Sequence, residues 1–269
     1  MAKAYWDKGH GGSDPGAVGQ GLQEKVLTRK IVDYGMAYLK GYEVEQRCSR
    51  NGDETKSLKQ RTDEANSWGA NLLVSVHINS ATSTSANGFE SHIYPNAGAP
   101  TIAFQNILHA EIMQVMRAFG VTTDRGKKQS NFHMLRECKS KMVSCLTENL
   151  FIVNSFDANR LKQEEFLKAV GEAHARGVAK YLGLKEKQSE PYKVIIPNTA
   201  FWQAKGLVIE FQERGYECKG VNLKLYGIGK QPEDNDPYQF VIFTDYTNAV
   251  DLVIELQTRG YDRTYGEKI

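Results

Sequence analysis

Two histidines and a glutamate in this 269-residue chain have the types and setting of a metal-binding set. His10 lies in a glycine-rich turn, "DKGHGGSDPGAVGQGLQEK", directly after the short apolar run Ala4–Trp6. Glu24 stands where that turn gives way to a helical pattern. His77 closes "NLLVSVHIN", a stretch rich in β-branched residues. Alternation along it puts Val74 and Val76 on one face and Ser75, His77 and Asn79 on the other. Three polar residues in line on a buried sheet face need a reason. Taken singly, each histidine reads more simply as a hydrogen-bonded structural residue. Taken together, two imidazoles and a carboxylate are a zinc donor set that leaves a fourth position for water. The site would keep one net positive charge, enough to lower the pKa of a bound water and polarise a carbonyl.

Such a site needs a group to handle protons. Glu148 ends the otherwise apolar stretch "MVSCLTEN". Burial there would raise its pKa and suit it to general-base work. A salt bridge or a cap on the following helix is the equal alternative. The other histidines carry less. His109 and His174 fall within helical patterns and read as surface or partly buried residues; His92 alternates with Glu90 and reads as an edge position. His133 precedes "MLRE" and reads as lining a groove.

The elements that must position these residues alternate. Strands are expected at 4–6, 42–48, 71–79, 88–95 and 141–149, and helices at 24–39, 58–68, 101–119 and 163–181, from periods of two and of three to four. This pattern predicts an α/β fold, a mostly parallel sheet flanked by helices. The polar stretch "GLKEKQSEP", 183–191, marks a boundary, giving domains 1–184 and 185–269. Beyond it the chain repeats. "AKGLVIEFQERGYE" at 204–217 matches "AVDLVIELQTRGYD" at 249–262, and "PYKVII" at 191–196 matches "PYQFVI" at 237–242. Gly215 and Gly260 each sit where a helix would end. The second domain is therefore expected to be a small α+β unit of two βα repeats, ferredoxin-like or related, packed as one sheet.

Composition restricts the partners. A 41% hydrophobic content suffices for a core, and a net charge of +2 without a basic arm or acidic tail gives no reason to expect nucleic acid. No apolar run is long enough for a membrane span. The start, "MAKAYWDKGH", lacks the apolar middle of a signal peptide. Cys48, Cys138, Cys145 and Cys218 fit neither a zinc knuckle nor a disulfide framework and read as mostly buried small hydrophobes.

Residues 1–184 resemble the zinc-dependent N-acetylmuramoyl-L-alanine amidases, the Amidase_3 family. "DKGHGGSDPGAVGQGLQE" resembles the family's opening zinc loop, and "SVHINS" its second zinc histidine. In "SRNGDETKSLKQRTDEAN", Arg50, Asp53, Leu58, Arg61, Ala65 and Asn66 fit the family pattern. "NGFES", "DRGKKQSNFHMLRE" with Leu135–Arg136, and "LTENLFIVNSFD" with Glu148, Phe151 and Asn154 complete it. Lys8 and Met142 stand where the family often has proline. The resemblance implies zinc held by His10, Glu24 and His77, Glu148 as the catalytic proton carrier and Arg136 as a substrate contact. It implies hydrolysis of the amide between the lactyl group of N-acetylmuramic acid and the L-alanine of the peptidoglycan stem peptide. The C-terminal repeat resembles the sporulation-related (SPOR-like) peptidoglycan-binding domain. A catalytic domain plus one wall-binding module without a leader resembles a bacteriophage endolysin, held in the host cytoplasm until release and then acting on the wall of a Gram-positive host; a mother-cell lytic amidase of a spore-former would look similar. A zinc peptidase or deacylase on another amide, and a non-catalytic peptidoglycan-binding protein, are the competing expectations.

Overall fold

The computed structural model describes residues 1–139, 141–187, 191–222 and 238–268. Residues 188–190 of the expected boundary and Pro237 of the second repeat lie outside the described residues. The chain forms two compact units, Met1–Lys187 and Gln188–Ile269.

The first unit is built on a six-stranded sheet in the order β4-β1-β5-β8-β6-β7. Its strands are β1 (Ala2–Lys8), β4 (Val44–Cys48), β5 (Leu72–Asn79), β6 (Phe89–Ile93), β7 (Asp124–Gln129) and β8 (Val143–Phe151). All neighbours run parallel except β6 and β8, so the sheet is mostly parallel, as the sequence pattern predicts. One face is apolar. Trp6, Val74, Val76 and Cys145 pack there against α1 (Glu24–Tyr38), α3 (Ala99–Ala118) and α6 (Glu164–Leu182). The opposite face carries a smaller apolar cluster, where Tyr5 and Leu73 meet Ala65 of α2 (Leu58–Trp68) and Met134 of α4 (His133–Arg136). Toward the carboxyl ends of β1, β5 and β8 that same face turns polar, with Asp7, Ser75, His77 and Glu148 upon it.

Local chemistry explains the element ends near the site. A hairpin of β2 (Val18–Gly19) and β3 (Leu22–Gln23) leads into α1. Gln20 and Gly21 at its tip both have positive φ, the type I′ arrangement that matches strand twist. Ser57 and Gln60 form a capping box that starts α2. Asn154 accepts from Phe156 N and Asp157 N to cap α5 (Ser155–Leu161).

The second unit is β9 (Pro191–Thr199), α7 (Phe201–Glu213), β10 (Glu217–Asn222), β11 (Tyr238–Asp245), α8 (Tyr246–Thr258) and β12 (Tyr265–Lys268). The sheet order β10-β11-β9-β12, with all neighbours antiparallel, is the split βαβ arrangement of a ferredoxin-like fold. Val194, Phe211, Phe240, Ile242 and Leu256 form its own core. Gly215 and Gly260 have φ of 87° and 92°, the left-handed helix exits expected of both repeats. The repeats also bond reciprocally. Arg214 makes a bidentate pair with Glu255 at 2.8 Å, and Arg259 one with Glu210 at 2.7 and 2.8 Å.

Candidate metal centre

His10 follows β1, Glu24 opens α1 and His77 lies near the end of β5, so the three converge beyond the carboxyl ends of the strands. One donor atom from each lies within 4.8 Å of the others. His77 Nδ1 is 2.9 Å from Glu24 Oε1, and His10 Nε2 is 3.2 Å from Glu24 Oε2. The backbone fixes the carboxylate: Ile78 N donates to Oε1 at 2.9 Å and Ala17 N to Oε2 at 2.8 Å. On its far side His10 Nδ1 meets Asp14 Oδ2 at 2.8 Å, which orients the ring. Gly16, at φ 66°, leaves room for both donors; a Cβ there would lie 2.6 Å from His10 Cδ2 and 2.7 Å from Glu24 Oε2.

Two buried arginines hold the loop that carries His10. Arg61 donates to the carbonyls of Lys8 at 2.6 Å and His10 at 2.7 Å, and to Asp7 Oδ1 at 2.8 Å. Arg50 donates to the carbonyls of Lys8, Gly9 and Lys25. Asp53 accepts from Gly12 N and from Lys25 Nζ. Asp7 therefore serves the frame. Ser75 also donates to it, at 2.6 Å. Burial pushes the Asp7 carboxyl up, but Arg61, His77 and Ser75 outweigh it and hold it below the usual range.

The same balance governs the donors. Burial would raise Glu24, yet the hydrogen bonds and charges of His10 and His77 hold it far below the usual carboxylate range. Burial pulls His77 down, but Glu24 more than offsets this and lifts it to about 9. Neutral imidazole and ionised carboxylate are the ligand forms, so a divalent metal taken up by this donor set would displace protons. The composition, spacing and fixed carboxylate fit zinc.

Glu148 sits on β8 directly opposite His77 on β5. Its Oε2 is buried and has no hydrogen-bond partner among the described residues. Burial, aided by the negative charges of Glu24 and Glu90 and opposed by His77, raises its pKa to about 7. The strand bulges just beyond it, and buried Leu150 takes a φ of 74°, rare for a non-glycine residue. Among the described residues, Arg136 makes no hydrogen bond or ion pair with this group. It is exposed on α4, where Nε donates to Glu137 at 2.8 Å and Nη1 to Asn131 Oδ1 at 2.9 Å.

Three of the remaining histidines, His92, His109 and His174, differ from expectation. His92 is not at a sheet edge, because β6 runs between β8 and β7; it is buried and bonded to Ser130 and Glu90. His109 and His174 are buried too, His109 between Ser91 and Asp124, His174 between Thr147 and the Val170 carbonyl. Each is satisfied by partners distant along the chain or one turn away, which a helical pattern cannot reveal. His133 is half-buried beside Thr62. Cys145 and Cys218 are buried, while Cys48 and Cys138 are only partly so; all four are free thiols. The sequence reading also passed over Asp14, whose spacing of four from His10 was the available signal, and the cations Arg125 and Lys128 that bind Glu90.

Fold and site together define a metallohydrolase class: an α/β sheet with a two-histidine, one-carboxylate centre at its strand ends and a buried glutamate beside it. The sequence matches the family described as N-acetylmuramoyl-L-alanine amidase (Amidase_3) over residues 6–180. It is 46% identical over 199 residues to the sporulation-specific N-acetylmuramoyl-L-alanine amidase of Bacillus subtilis (strain 168), covering 73% of this chain and 74% of that one. It is 37% identical over 222 residues to the endolysin of Bacillus phage SPP1, covering 80% of this chain and 79% of that one. Its fold matches the catalytic domain of CwlV, the N-acetylmuramoyl-L-alanine amidase of Bacillus (Paenibacillus) polymyxa var. colistinus, with a TM-score of 0.64 and 32% identity, covering 69% of this chain and 100% of that one. The chain belongs to the N-acetylmuramoyl-L-alanine amidase family.

Proposed function

We propose that the chain cuts the amide between N-acetylmuramic acid and L-alanine with zinc held by His10, Glu24 and His77 and with Glu148 as proton carrier. The carrying observation is the register of β5 and β8, which sets Glu148 beside the donor set with Oε2 buried and unpartnered. Zinc bound by these donors supplies Lewis acidity to the scissile carbonyl and to a water molecule. Glu148 Oε2 accepts the proton as the water oxygen bonds to the carbonyl carbon, then returns it to the alanine nitrogen as the C–N bond breaks. A pKa near 7 suits both transfers at neutral pH. Arg136 is assigned a substrate contact through its planar guanidinium, which must then leave Asn131 and Glu137.

The second unit is assigned to peptidoglycan binding as a SPOR-like module, on its paired βα repeats. Holding the enzyme on an insoluble polymer would raise its local concentration. Bacteriophage endolysin is the role favoured for the whole chain, supported by likeness to the SPP1 endolysin over 80% of this sequence; likeness to the sporulation-specific amidase of Bacillus subtilis supports the second reading, a mother-cell lytic amidase. In that role the protein waits in the host cytoplasm and reaches the wall on release.

The test is made on purified cell walls, following turbidity and newly freed L-alanine amino groups, with bound zinc measured. Wild type should free that terminus. Glu148→Gln should keep zinc and lose at least about a hundredfold in kcat. Zinc and wall binding without a freed alanine terminus would instead indicate a hydrolase of another amide or a binding protein.

A further inference from the structure

We propose that Arg125 and Lys128 form a subsite for a carboxylate on the stem peptide, adjoining Glu148 on the side away from the metal donors. The proposal rests on the reading of Glu148 as the proton carrier. Glu90 on β6 lies directly opposite Glu148 on β8, so the two side chains share a face with Cβ atoms about 5 Å apart. Glu90 is buried, and one of its oxygens, Oε2, takes both Arg125 Nε at 2.6 Å and Lys128 Nζ at 2.5 Å. Its other oxygen takes Asn79 Nδ2 at 3.1 Å and faces His92 Nε2 at 3.2 Å. Glu90 engages both cations through a single oxygen, so neither cation is fully occupied by it; Glu148 adds a negative charge beside them only when it is ionised. The nearby carboxyl of Asp157 is sealed from solvent and receives the N–H groups of Gly88 and Phe151.

The two cations remain reachable. The Arg125 and Lys128 side chains keep 33% and 38% of their exposure, against 8% for Glu90. Arg125 stacks its guanidinium 4.7 Å over the Phe151 ring and, among the described residues, makes no hydrogen bond through its Nη groups. Those donors are a free fork of the kind that binds carboxylates. Sheet order supplies the direction. His77 on β5, Glu148 on β8, Glu90 on β6 and Lys128 on β7 follow one another across the sheet. With the scissile carbonyl toward the donor set and the alanine nitrogen at Glu148, the peptide beyond the alanine runs toward β6 and β7. A carboxylate on the next residue then meets Lys128 and the unbonded Nη groups of Arg125.

The experiment uses the full chain loaded with zinc and two synthetic muramoyl-peptides that differ only in a free carboxylate or a carboxamide on the residue after L-alanine. Wild type should show a KM lower by about tenfold for the carboxylate form, the scale of one charge-assisted hydrogen bond. Lys128→Gln and Arg125→Gln should each erase most of that preference by raising KM for the carboxylate substrate alone, with smaller changes in kcat. Lys128→Arg should restore it. Arg125→Lys serves if Arg125→Gln fails to fold, as checked by zinc content and thermal unfolding. Equal KM for the two substrates in wild type, or variants that lose the same factor on both, would overturn the proposal. Glu148→Gln run alongside should lower kcat on both substrates; if it does not, the proton-carrier reading fails while the KM comparison still reports on the cations.

Discussion

At the scale of the residue, the site consists of carboxyls and imidazoles driven from their ordinary pKa values by burial and by one another. Glu148 is the clearest. The folded state holds its proton up to about pH 7, against 4.5 for an ordinary glutamate, so wild-type stability falls as pH rises between those values. Glu148→Gln removes that loss. In zinc-free protein the stability of the variant relative to wild type should therefore climb from pH 4.5 to 7 and then level off, by at most about 3 kcal/mol. Urea unfolding across that range measures it, and a flat difference would contradict it. His77 titrates the other way. Held at about 9 by Glu24, it is largely protonated at pH 8, so zinc uptake there should release about one proton. Calorimetry in buffers of different ionisation enthalpy reads that number, which should fall toward zero above pH 9 for this residue. The donor set itself was legible from residue types, because His10 and His77 flank strands and Glu24 starts a helix. The cluster around Glu90 was not, since Asn79, Arg125 and Lys128 reach it only through the pairing of β8, β6 and β7.

At the scale of the element, α2 and the turn before it brace the metal loop. Arg61 and Asp7 are an ion pair sealed from water, with side-chain exposures of 4% and 1%. Breaking a buried pair leaves the other charge unpaired, which costs about 3–5 kcal/mol. Arg61→Ala should lose that much in chemical denaturation and weaken zinc binding as well. The Asp7→Ala/Arg61→Ala double variant should lose less than the sum of the single changes. Elements with strong periodicity were readable: α2 matches its expected bounds, and β5 and β8 follow their apolar runs closely. β7, "DRGKKQ", was not, because an edge strand of polar and charged residues shows no apolar alternation. The β2–β3 hairpin escaped because its strands are two residues long. α5 is short and announced mainly by Asn154, a cap whose helix has few buried positions.

At the scale of the whole molecule, each unit has its own core, and the donors and Glu148 all come from the first. If the second unit binds peptidoglycan, removing residues 188–269 should sharply reduce sedimentation with cell walls. Turnover of a small muramoyl-peptide should change less than about threefold, because no donor is removed. Equal sedimentation of both forms would show that the second unit does something else. The repeat that builds this unit was visible as a matched pair of segments, but the reciprocal Arg214–Glu255 and Arg259–Glu210 pairs were not, since they join equivalent positions across the two helices.

The bracing of the His10 loop by Arg50 and Arg61 reaches beyond the donors themselves. Arg50 and Arg61 hold the carbonyls around His10, and two backbone N–H groups hold Glu24. Residues that touch no donor-bound metal therefore decide where its donors stand. Substitutions in the turn before α2, or in α2 itself, should then erode metal affinity as surely as changes to the donors, so the site is sensitive to sequence change over a wider stretch than its three donors occupy.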